Sequence, residues 1–373
     1  MKVNPTSRLS DLIESKRTIV TLGPGGVGKT TISAAIAIES AYKGRNVAVV
    51  TIDPAKRLAG ALGLKSLSNT PTPIVLGAHA KGTLHALMLD VQETFEQMVK
   101  NYASSQEQID EILANKIYQN LTQSLSGTQE YMAMERLWEL HNDKRFDLIV
   151  VDTPPSVGAL DFLEAPKRLV SFLDNRVFQL LIKPVPLYLR PLSVATRTLL
   201  KTISKVVGSE VVADAVEFFR AFSGIEEGFK VRAKEIGDLI GSQSTGFIGV
   251  TSPQSLALTE TVELIRRLSE TDISIDAVLV NRVTPQFLGS EEHLELASDS
   301  VALSASLVTL LNNSDQIAKT REHELRRLEK HRAGFNSAPY LLLENQGQEV
   351  ATSSALKRLG NELFVQKLAT PDP

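Results

Sequence analysis

A β-branched run followed by a glycine-rich segment and a helix start constrains the fold of this chain more than any other stretch. The run is Thr18–Leu22, and Gly-Pro-Gly-Gly-Val-Gly-Lys-Thr-Thr follows it over Gly23–Thr31. Glycine adopts backbone conformations that other residues avoid, so such a loop can wrap its N–H groups around phosphate oxygens. The spacing G-x-x-x-x-G-K-[S/T], in the strand–loop–helix setting it requires, predicts a P-loop and an α/β fold. The matching residues are Gly23, Gly28, Lys29 and Thr30.

The predicted loop assigns a chemical role to each of its polar groups. Its N–H groups and the positive end of the following helix dipole would bind phosphate. Lys29 would place its charge on the β- and γ-phosphates, and the Thr30 hydroxyl would bind Mg²⁺. The alternative, a glycine turn beside an unrelated lysine, needs four matched positions by chance. We therefore predict a nucleotide site that contains Gly23, Gly25, Gly26, Val27, Gly28, Lys29, Thr30 and Thr31.

A second apolar run, Asn46–Ile52, is typical of a parallel strand covered by helices on both faces. It ends at Asp53, on the strand edge where open α/β sheets bind ligands. Two roles fit Asp53: a cap for the helix predicted at Lys56–Leu62, or orientation of the water that attacks the γ-phosphate. The position of Asp53 one βα unit after the P-loop favours the second role. Asp53 and Lys29 are therefore the candidate catalytic residues.

The run Phe146–Val151 is the most purely apolar strand candidate, and it ends at Asp152. An apolar strand that ends in aspartate is the Walker B pattern, whose carboxylate holds Mg²⁺ directly or through water. In a chain that also has a P-loop, this pattern makes Asp152 a metal-site residue together with Thr30. The segment Thr153–Gly158 is then predicted to be a switch loop that senses the γ-phosphate.

Four further runs are predicted to be strands of the same sheet. One of them ends at Asn281, whose side-chain amide offers both a donor and an acceptor, as an adenine edge requires. No second P-loop and no internal repeat is present. The four runs are Leu84–Leu89, Phe247–Thr251, Ile275–Val280 and Tyr340–Leu343.

Two long segments, about 91–145 and 159–241, have helical spacing and predict a helical subdomain within a single domain over 1–373. The second segment is unusually apolar. Packing between helices is the simpler explanation, and the alternative is an apolar surface for a hydrophobic partner. Under that alternative the candidate contact residues are Phe172, Phe178, Phe218, Phe219 and Phe222.

Composition excludes several classes of function. A net charge of −3 gives no basic surface for nucleic acid, and the chain has no cysteine for disulfides or cysteine–zinc sites. With 43% hydrophobic and 22% charged residues, the composition is that of an ordinary globular protein. No signal peptide pattern opens the sequence, and no apolar run is long enough to span a bilayer. We expect a cytoplasmic protein, with peripheral attachment to a membrane as an alternative.

The motifs together resemble the ArsA-type ATPases: the arsenite-pump ATPases and the relatives that target tail-anchored membrane proteins. The resemblance implies a deviant-Walker, SIMIBI-type P-loop NTPase with a mostly parallel sheet flanked by helices. It also implies a dimer with Mg-ATP at the interface, in which Asp53 positions the water, Asp152 lies in the magnesium shell and Asn281 contacts adenine. The matching stretches, in family order, are Gly25–Thr31, Thr51–Ala55, Asp152–Pro155, Leu160–Leu163 and Val280–Asn281.

Three departures from that family bear on function. Its P-loop carries a signature lysine directly before Gly25, and this chain has Pro24 there, so a charge across the dimer must come from Lys56 or Arg57 or be missing. The metalloid-binding cysteines of the arsenite members are absent. The zinc-binding cysteine pair of many targeting members is absent too.

The sequence therefore favours an ATPase switch that uses ATP and Mg²⁺ and acts on a hydrophobic protein client or a membrane-associated partner. It would act as a homodimer or as a heterodimer with a related ATPase. One alternative is a slow or non-hydrolysing nucleotide-binding subunit of a hetero-oligomer, which Pro24 favours. Another is a P-loop kinase, which the lack of an arginine-rich lid disfavours.

Overall fold

One eight-stranded sheet organises the computed structural model, which describes residues 8–52, 57–116, 118, 128–176, 179, 209–286, 305–347, 350 and 352–369. The strand order is β3-β4-β2-β5-β1-β6-β7-β8, and all of these pairs are parallel except β3 with β4. The predicted parallel sheet is thereby confirmed. The strands are β1 (Thr18–Leu22), β2 (Val47–Thr51), β3 (Thr72–Ile74), β4 (Leu84–Met88), β5 (Leu148–Asp152), β6 (Thr245–Thr251), β7 (Ala277–Val283) and β8 (Tyr340–Glu344).

The central strands are buried at every position, which explains their apolar, β-branched sequences. β1, β2, β5 and β6 have no exposed residue, as expected for parallel strands covered on both faces. β1 pairs with β5 on one side and β6 on the other, so Thr21 lies opposite Asp152 and Leu22 opposite Gly249. The P-loop therefore starts at the middle of the sheet.

Sequence periodicity did not indicate β3. It has only three residues, contains Pro73 and pairs at the sheet edge, where proline is tolerated because one side of the strand needs no ladder bond.

Twelve α-helices lie within the described residues. Their bounds are α1 (Leu9–Glu14), α2 (Lys29–Tyr42), α3 (Arg57–Ala61), α4 (Val91–Tyr102), α5 (Gln106–Ala114), α6 (Thr128–Asn142), α7 (Ser156–Leu173), α8 (Ser209–Ala221), α9 (Glu226–Ile240), α10 (Ser255–Ser269), α11 (Ala305–Arg332) and α12 (Ser353–Val365). Among these helices, none combines the length and the apolar character needed to cross a bilayer.

The chain divides into two compact units. The first contains the sheet and comprises Met1–Met88, Lys144–Leu160 and Gln243–Pro373. The second is helical and comprises Leu89–Asp143 and Asp161–Ser242. That both units form one functional domain stays a prediction.

The helical unit has a core of aromatic side chains. Phe222 lies 5.8 Å from Phe218 and 5.0 Å from Phe229 between ring centroids, and Phe229 in turn contacts Phe95. All four rings are buried. Offset and edge-to-face contacts of this kind stabilise a core beyond simple area burial. The helices of this unit are therefore held together by packed aromatic rings.

This packing decides between the two explanations for individual candidate residues of the apolar segment. The interpretation of Phe218 and Phe222 as partner-facing residues is wrong, because both are core residues with at most 6% exposure. Phe219 is half-buried against Phe218. Phe172 is 52% exposed and is the candidate that remains on the surface. Phe178 lies outside the described residues.

We expect Phe222→Ala to lower the free energy of unfolding by about 3–5 kcal/mol, because it removes a ring from a closely packed cluster. The matched variant Phe172→Ala should cost less than about 1 kcal/mol, since its ring is half in water. Urea denaturation of both variants measures the difference. Equal losses would contradict the assignment of core and surface.

A buried ion pair also connects two helices of the helical unit. Glu135 on α6 is fully buried and is hydrogen-bonded to Arg232 on α9, whose guanidinium lies 3.4 Å from the centre of the Trp138 ring. Burial raises the pKa of Glu135 from its ordinary value of 4.5 to about 7, while the charge of Arg232 opposes the shift. Glu135 therefore titrates near neutral pH in the folded chain.

We expect the free energy of unfolding to decrease as the pH rises from 4.5 to 7. In this range the folded chain keeps the proton on Glu135, while the unfolded chain has lost it. The contribution is about 3 kcal/mol, since one pKa unit is worth about 1.4 kcal/mol. Unfolding of Glu135→Gln across this range should be less pH-dependent than that of the wild type. In the control Glu263→Gln the profile should change only below pH 4.5, because a hydrogen bond from Arg266 lowers the pKa of Glu263. A Glu135→Gln profile parallel to that of the wild type would contradict the assignment.

Candidate functional site

A cavity of about 750 Å³ opens at the carboxyl ends of five strands of the sheet. This is the edge at which open α/β sheets bind ligands. Segments that follow β1, β2, β5, β7 and β8 line the cavity, and α12 contributes one wall. The lining residues used below are Gly28, Lys29, Thr30, Arg57, Thr153, Asn281, Arg282, Val350 and Leu359.

Two positions in the loop after β1 accept only glycine. Gly23 has φ +150°, and a Cβ there would lie 2.0 Å from the Val250 oxygen. Gly28 has φ +99°, and a Cβ there would lie 2.4 Å from Nδ2 of Asn281. A larger residue would clash with the sheet backbone at Gly23, and at Gly28 it would displace the Asn281 side chain and adopt a disfavoured φ. The glycine pattern that predicted the P-loop is explained by these two close approaches.

The helix that follows the loop begins without a side-chain cap. α2 starts at Lys29 after Gly28, which has no side chain to accept a bond from the first turn. Asp90, Ser105 and Thr352 cap α4, α5 and α12 with their side chains, whereas α9 and α10, like α2, begin without such a cap. The first turn of α2 also has no acidic residue. Its N–H groups and the helix dipole are therefore suited to an anion such as phosphate.

The Lys29 side chain lies across the loop. It is buried, and its Nζ donates to the carbonyl oxygens of Gly23 at 2.9 Å and Pro24 at 2.8 Å. An ammonium group with three donors can exchange such neutral acceptors for the stronger ones of a phosphate chain. Pro24, where the family carries its signature lysine, is buried and contributes a carbonyl to this arrangement.

Two hydroxyl groups meet one oxygen of Asp152. Thr30 Oγ1 donates to Asp152 Oδ2 at 2.8 Å, and Thr51 Oγ1 donates to the same atom at 3.0 Å. Asp152 is only 1% exposed. A hydroxyl and a carboxylate oxygen beside a phosphate site are the ligands that Mg²⁺ accepts, so this donor set fits the metal. Thr30 and Asp152 would hold Mg²⁺ together with nucleotide phosphates.

The start of the predicted switch loop is tied to the P-loop strand. Thr153 is buried, and its Oγ1 donates to the backbone oxygen of Thr21 at 2.6 Å. Thr21 in turn bonds Ser33 on α2 and the backbone oxygen of Val151. A shift of Thr153 would therefore change hydrogen bonds that connect it to β1 and, through Thr21, to α2.

The predicted residues come together with two qualifications. Asn281 lines the cavity, but its Nδ2 donates to the Val27 oxygen of the P-loop at 2.8 Å. Contact between Asn281 and a base stays a prediction. Asp53 lies outside the described residues, as does Lys56, so the role of Asp53 also stays a prediction.

Sequence reasoning missed the partners that complete the site. Thr51 was part of a matching stretch but was given no role of its own, although its hydroxyl donates to Asp152. The residues after β8 and on α12, including Val350 and Leu359, carry no motif. Only the strand order shows that β8 ends beside β7.

The fold and the site define this chain as a P-loop NTPase. It belongs to the anion-transporting ATPase family, whose model matches residues 16–364. The ArsA-type resemblance is thereby confirmed.

Curated relatives point the same way. ATPase ASNA1 homolog 1 of Paramecium tetraurelia is 26% identical over 76% of this chain and 79% of its own length. The ATPase ASNA1 homolog of Plasmodium chabaudi chabaudi is 27% identical over 78% of this chain and 69% of its own length. That of Dictyostelium discoideum is 26% identical over 70% of each chain.

We expect Thr51→Val to lower the free energy of unfolding by about 1.5–3 kcal/mol, because it removes a hydrogen bond to a buried carboxylate. Thr261→Val is the control: Thr261 is equally buried, but its hydroxyl donates to a neutral helix carbonyl, of Ala257. The control should cost about 1 kcal/mol or less. Urea denaturation separates the two, and a smaller loss for Thr51→Val than for Thr261→Val would contradict the role of Thr51.

Proposed function

We propose that this chain binds Mg-ATP and hydrolyses it as a molecular switch of the ArsA type. The observation that carries the proposal is the convergence of the uncapped α2 N-terminus, Lys29 and the Thr30–Asp152 pair on one cavity. Each of these groups answers one requirement of a nucleotide triphosphate: anion binding, charge neutralisation and a place for the metal.

The residues divide the work of hydrolysis. The loop N–H groups and Lys29 hold the phosphate chain, and Asp152 with Thr30 holds the metal. Bound Mg²⁺ supplies charge neutralisation on the phosphate oxygens. Asp53 orients the attacking water, which its place after β2, two strands from β1, supports. Thr153, hydrogen-bonded to Thr21, passes the state of the phosphates to the switch loop.

We further propose that the switch works as a dimer and handles a hydrophobic protein or a membrane-associated partner. The family membership supports a conformational cycle as the use of the ATP. No cysteine is available to bind a metalloid or a zinc ion at the dimer interface. Partner handling in a cysteine-free form is therefore favoured over a metalloid-pump role. Light scattering with and without ATP and Mg²⁺ tests the dimer, and an unchanged monomer mass would contradict it.

A second candidate function is that of a slow or non-hydrolysing nucleotide-binding subunit in a hetero-oligomer. Pro24 favours it, because a proline cannot supply the charge that the family's lysine carries. Turnover near zero for the purified chain, restored by a related partner chain, would decide for this function.

We expect Lys29→Ala to weaken ATP binding and to lower turnover by about a hundredfold or more, because a charge on the phosphates is lost while the backbone cradle remains. Lys43→Ala is the matched control at the other end of α2, where Lys43 lies 3.8 Å from Glu39. Titration with a fluorescent ATP analogue and phosphate release measure both effects. Wild-type turnover in Lys29→Ala would show that the site is misassigned.

We expect Asp53→Asn to bind ATP but to lower turnover by about a hundredfold or more, because the group that orients the water loses its charge. The same binding and phosphate-release measurements apply. If Asp53→Asn unfolds the chain or leaves turnover intact, Asp53 is a helix cap.

A further inference from the structure

Arg282, at the end of β7, has a backbone conformation that is rare for its residue type. Its φ is +63°, in the left-handed region that non-glycine residues enter at an energetic cost. The pairing of β7 with β8 shifts register between Val280 and Val283, so Arg282 lies in a β-bulge. Bulges near binding sites change the direction of a side chain. Strain of this kind persists where the surrounding structure enforces it.

The surrounding structure does enforce this conformation. The Arg282 N–H donates to Oδ1 of Asn281, whose Nδ2 bonds the P-loop. Two residues further on, the Thr284 N–H donates to Glu324 of α11 at 2.8 Å, and the Thr284 carbonyl accepts from Arg321 of the same helix. The backbone is therefore fixed on both sides of Arg282.

The Arg282 side chain is accessible at the rim of the cavity. The side chain is exposed and lines the cavity. Within the described parts of the chain it has no hydrogen-bond acceptor and no carboxylate partner. Nearby Arg321, by contrast, bonds Glu344 at 2.9 Å. A strained backbone that presents an unpaired guanidinium to a cavity points to a ligand group.

The sheet topology shows which part of a nucleotide would meet Arg282. Asp152 ends β5 and Arg57 follows β2, and both strands lie on one side of the central strand β1. Arg282 lies near the end of β7, two strands from β1 on the opposite side. A nucleotide whose phosphates lie on the P-loop, with its metal at Asp152, would therefore extend its base towards β7. Val350 and Leu359 form an apolar part of the cavity wall.

We propose that the Arg282 guanidinium stacks on the face of the nucleotide base and so sets the affinity for purine nucleotides. This inference rests on the proposed nucleotide binding. A planar guanidinium stacks on aromatic faces and is not limited to salt bridges. Stacking distinguishes a large base from a small one, while discrimination between adenine and guanine requires contacts to the base edge.

The test compares three probes on the full chain: ADP, CDP and inorganic tripolyphosphate, which has phosphates but no base. Arg282→Asn is the informative variant, because asparagine tolerates a positive φ while it removes the guanidinium. We expect Arg282→Asn to lower the affinity for ADP by about 3- to 30-fold. The affinity for CDP should fall less, and the affinity for tripolyphosphate should equal that of the wild type.

Two further arginine variants serve as controls. Arg57→Gln, on the phosphate side of the cavity, should lower the affinities for ADP and for tripolyphosphate by similar factors. Arg267→Asn, an exposed arginine on α10, should change neither. Equal weakening of ADP and tripolyphosphate in Arg282→Asn would overturn the inference and make Arg282 a phosphate contact. Unchanged ADP binding would also overturn it.

A stability measurement tests whether the strain is retained for the ligand. Glycine adopts φ +63° without the steric cost that a side chain adds, and where this gain exceeds the entropy that glycine loses on folding, Arg282→Gly raises the melting temperature of the nucleotide-free chain, by about 1–3 °C. Arg282→Gly should also lower the affinity for ADP to the same extent as Arg282→Asn. A lower melting temperature for Arg282→Gly would show that the side chain supports the fold, and would overturn the inference.

The two proposals fail in distinguishable ways. If the wild type binds neither ADP nor ATP, the proposed nucleotide function fails and this inference fails with it. If the wild type binds ADP and the Arg282 variants bind it equally well, only the role of Arg282 fails.

Discussion

Hydrogen bonds that meet at one oxygen of Asp152 tie together the parts on which this structure depends. Thr30 reaches that oxygen from α2, Thr51 reaches it from β2, and Asp152 itself ends β5. A buried carboxylate is costly unless hydrogen bonds compensate it, so these two bonds favour this mutual arrangement of α2, β2 and β5. The same atoms are those that a magnesium ion would use. The need to satisfy a buried charge and the construction of a metal site are therefore one requirement.

A second connection holds the loop from the opposite side of β1. Gly28 has no Cβ, so the Asn281 side chain can approach closely and donate to the Val27 oxygen. Asn281 also accepts the N–H of Arg282, which joins the P-loop to the strained end of β7. The loop is thus held by Asp152 through Thr30 and by Asn281 through Val27. The P-loop and the start of α2 are therefore hydrogen-bonded to β5 on one side of β1 and to β7 on the other.

The helical unit is stabilised differently from the sheet. Its core contains aromatic rings around Phe222 and Phe229, and a buried ion pair links Glu135 to Arg232. Among its described residues, Phe95, Phe218, Phe222 and Phe229 are used for packing. Phe172 shows that an exposed aromatic remains, at 52% exposure. An apolar residue of this unit is therefore more simply explained as part of the core. It is a candidate for partner binding only where the structure shows it exposed.

The sequence alone determined the parts whose chemistry is local. A phosphate loop needs Gly23 and Gly28 next to Lys29 and Thr30 in one continuous stretch, so spacing was sufficient to find it. Seven strands were predictable, and for β1, β2, β5 and β6 the reason is that parallel strands buried on both faces are apolar over nearly their whole length. The carboxylate at Asp152 was found for the same reason, as the polar end of such a strand.

Tertiary structure decided whatever depends on strand order. The neighbours of Asp152 and Arg282 come from distant positions in the chain, and no local pattern says that β8 ends beside β7 or that Thr51 faces Asp152. Burial was decided in the same way, because Phe172 and Phe222 have the same apolar ring and differ only in what packs against them. The strain at Arg282 likewise arises from the bonds of Asn281 and Thr284, which hold a backbone that the residue type itself disfavours.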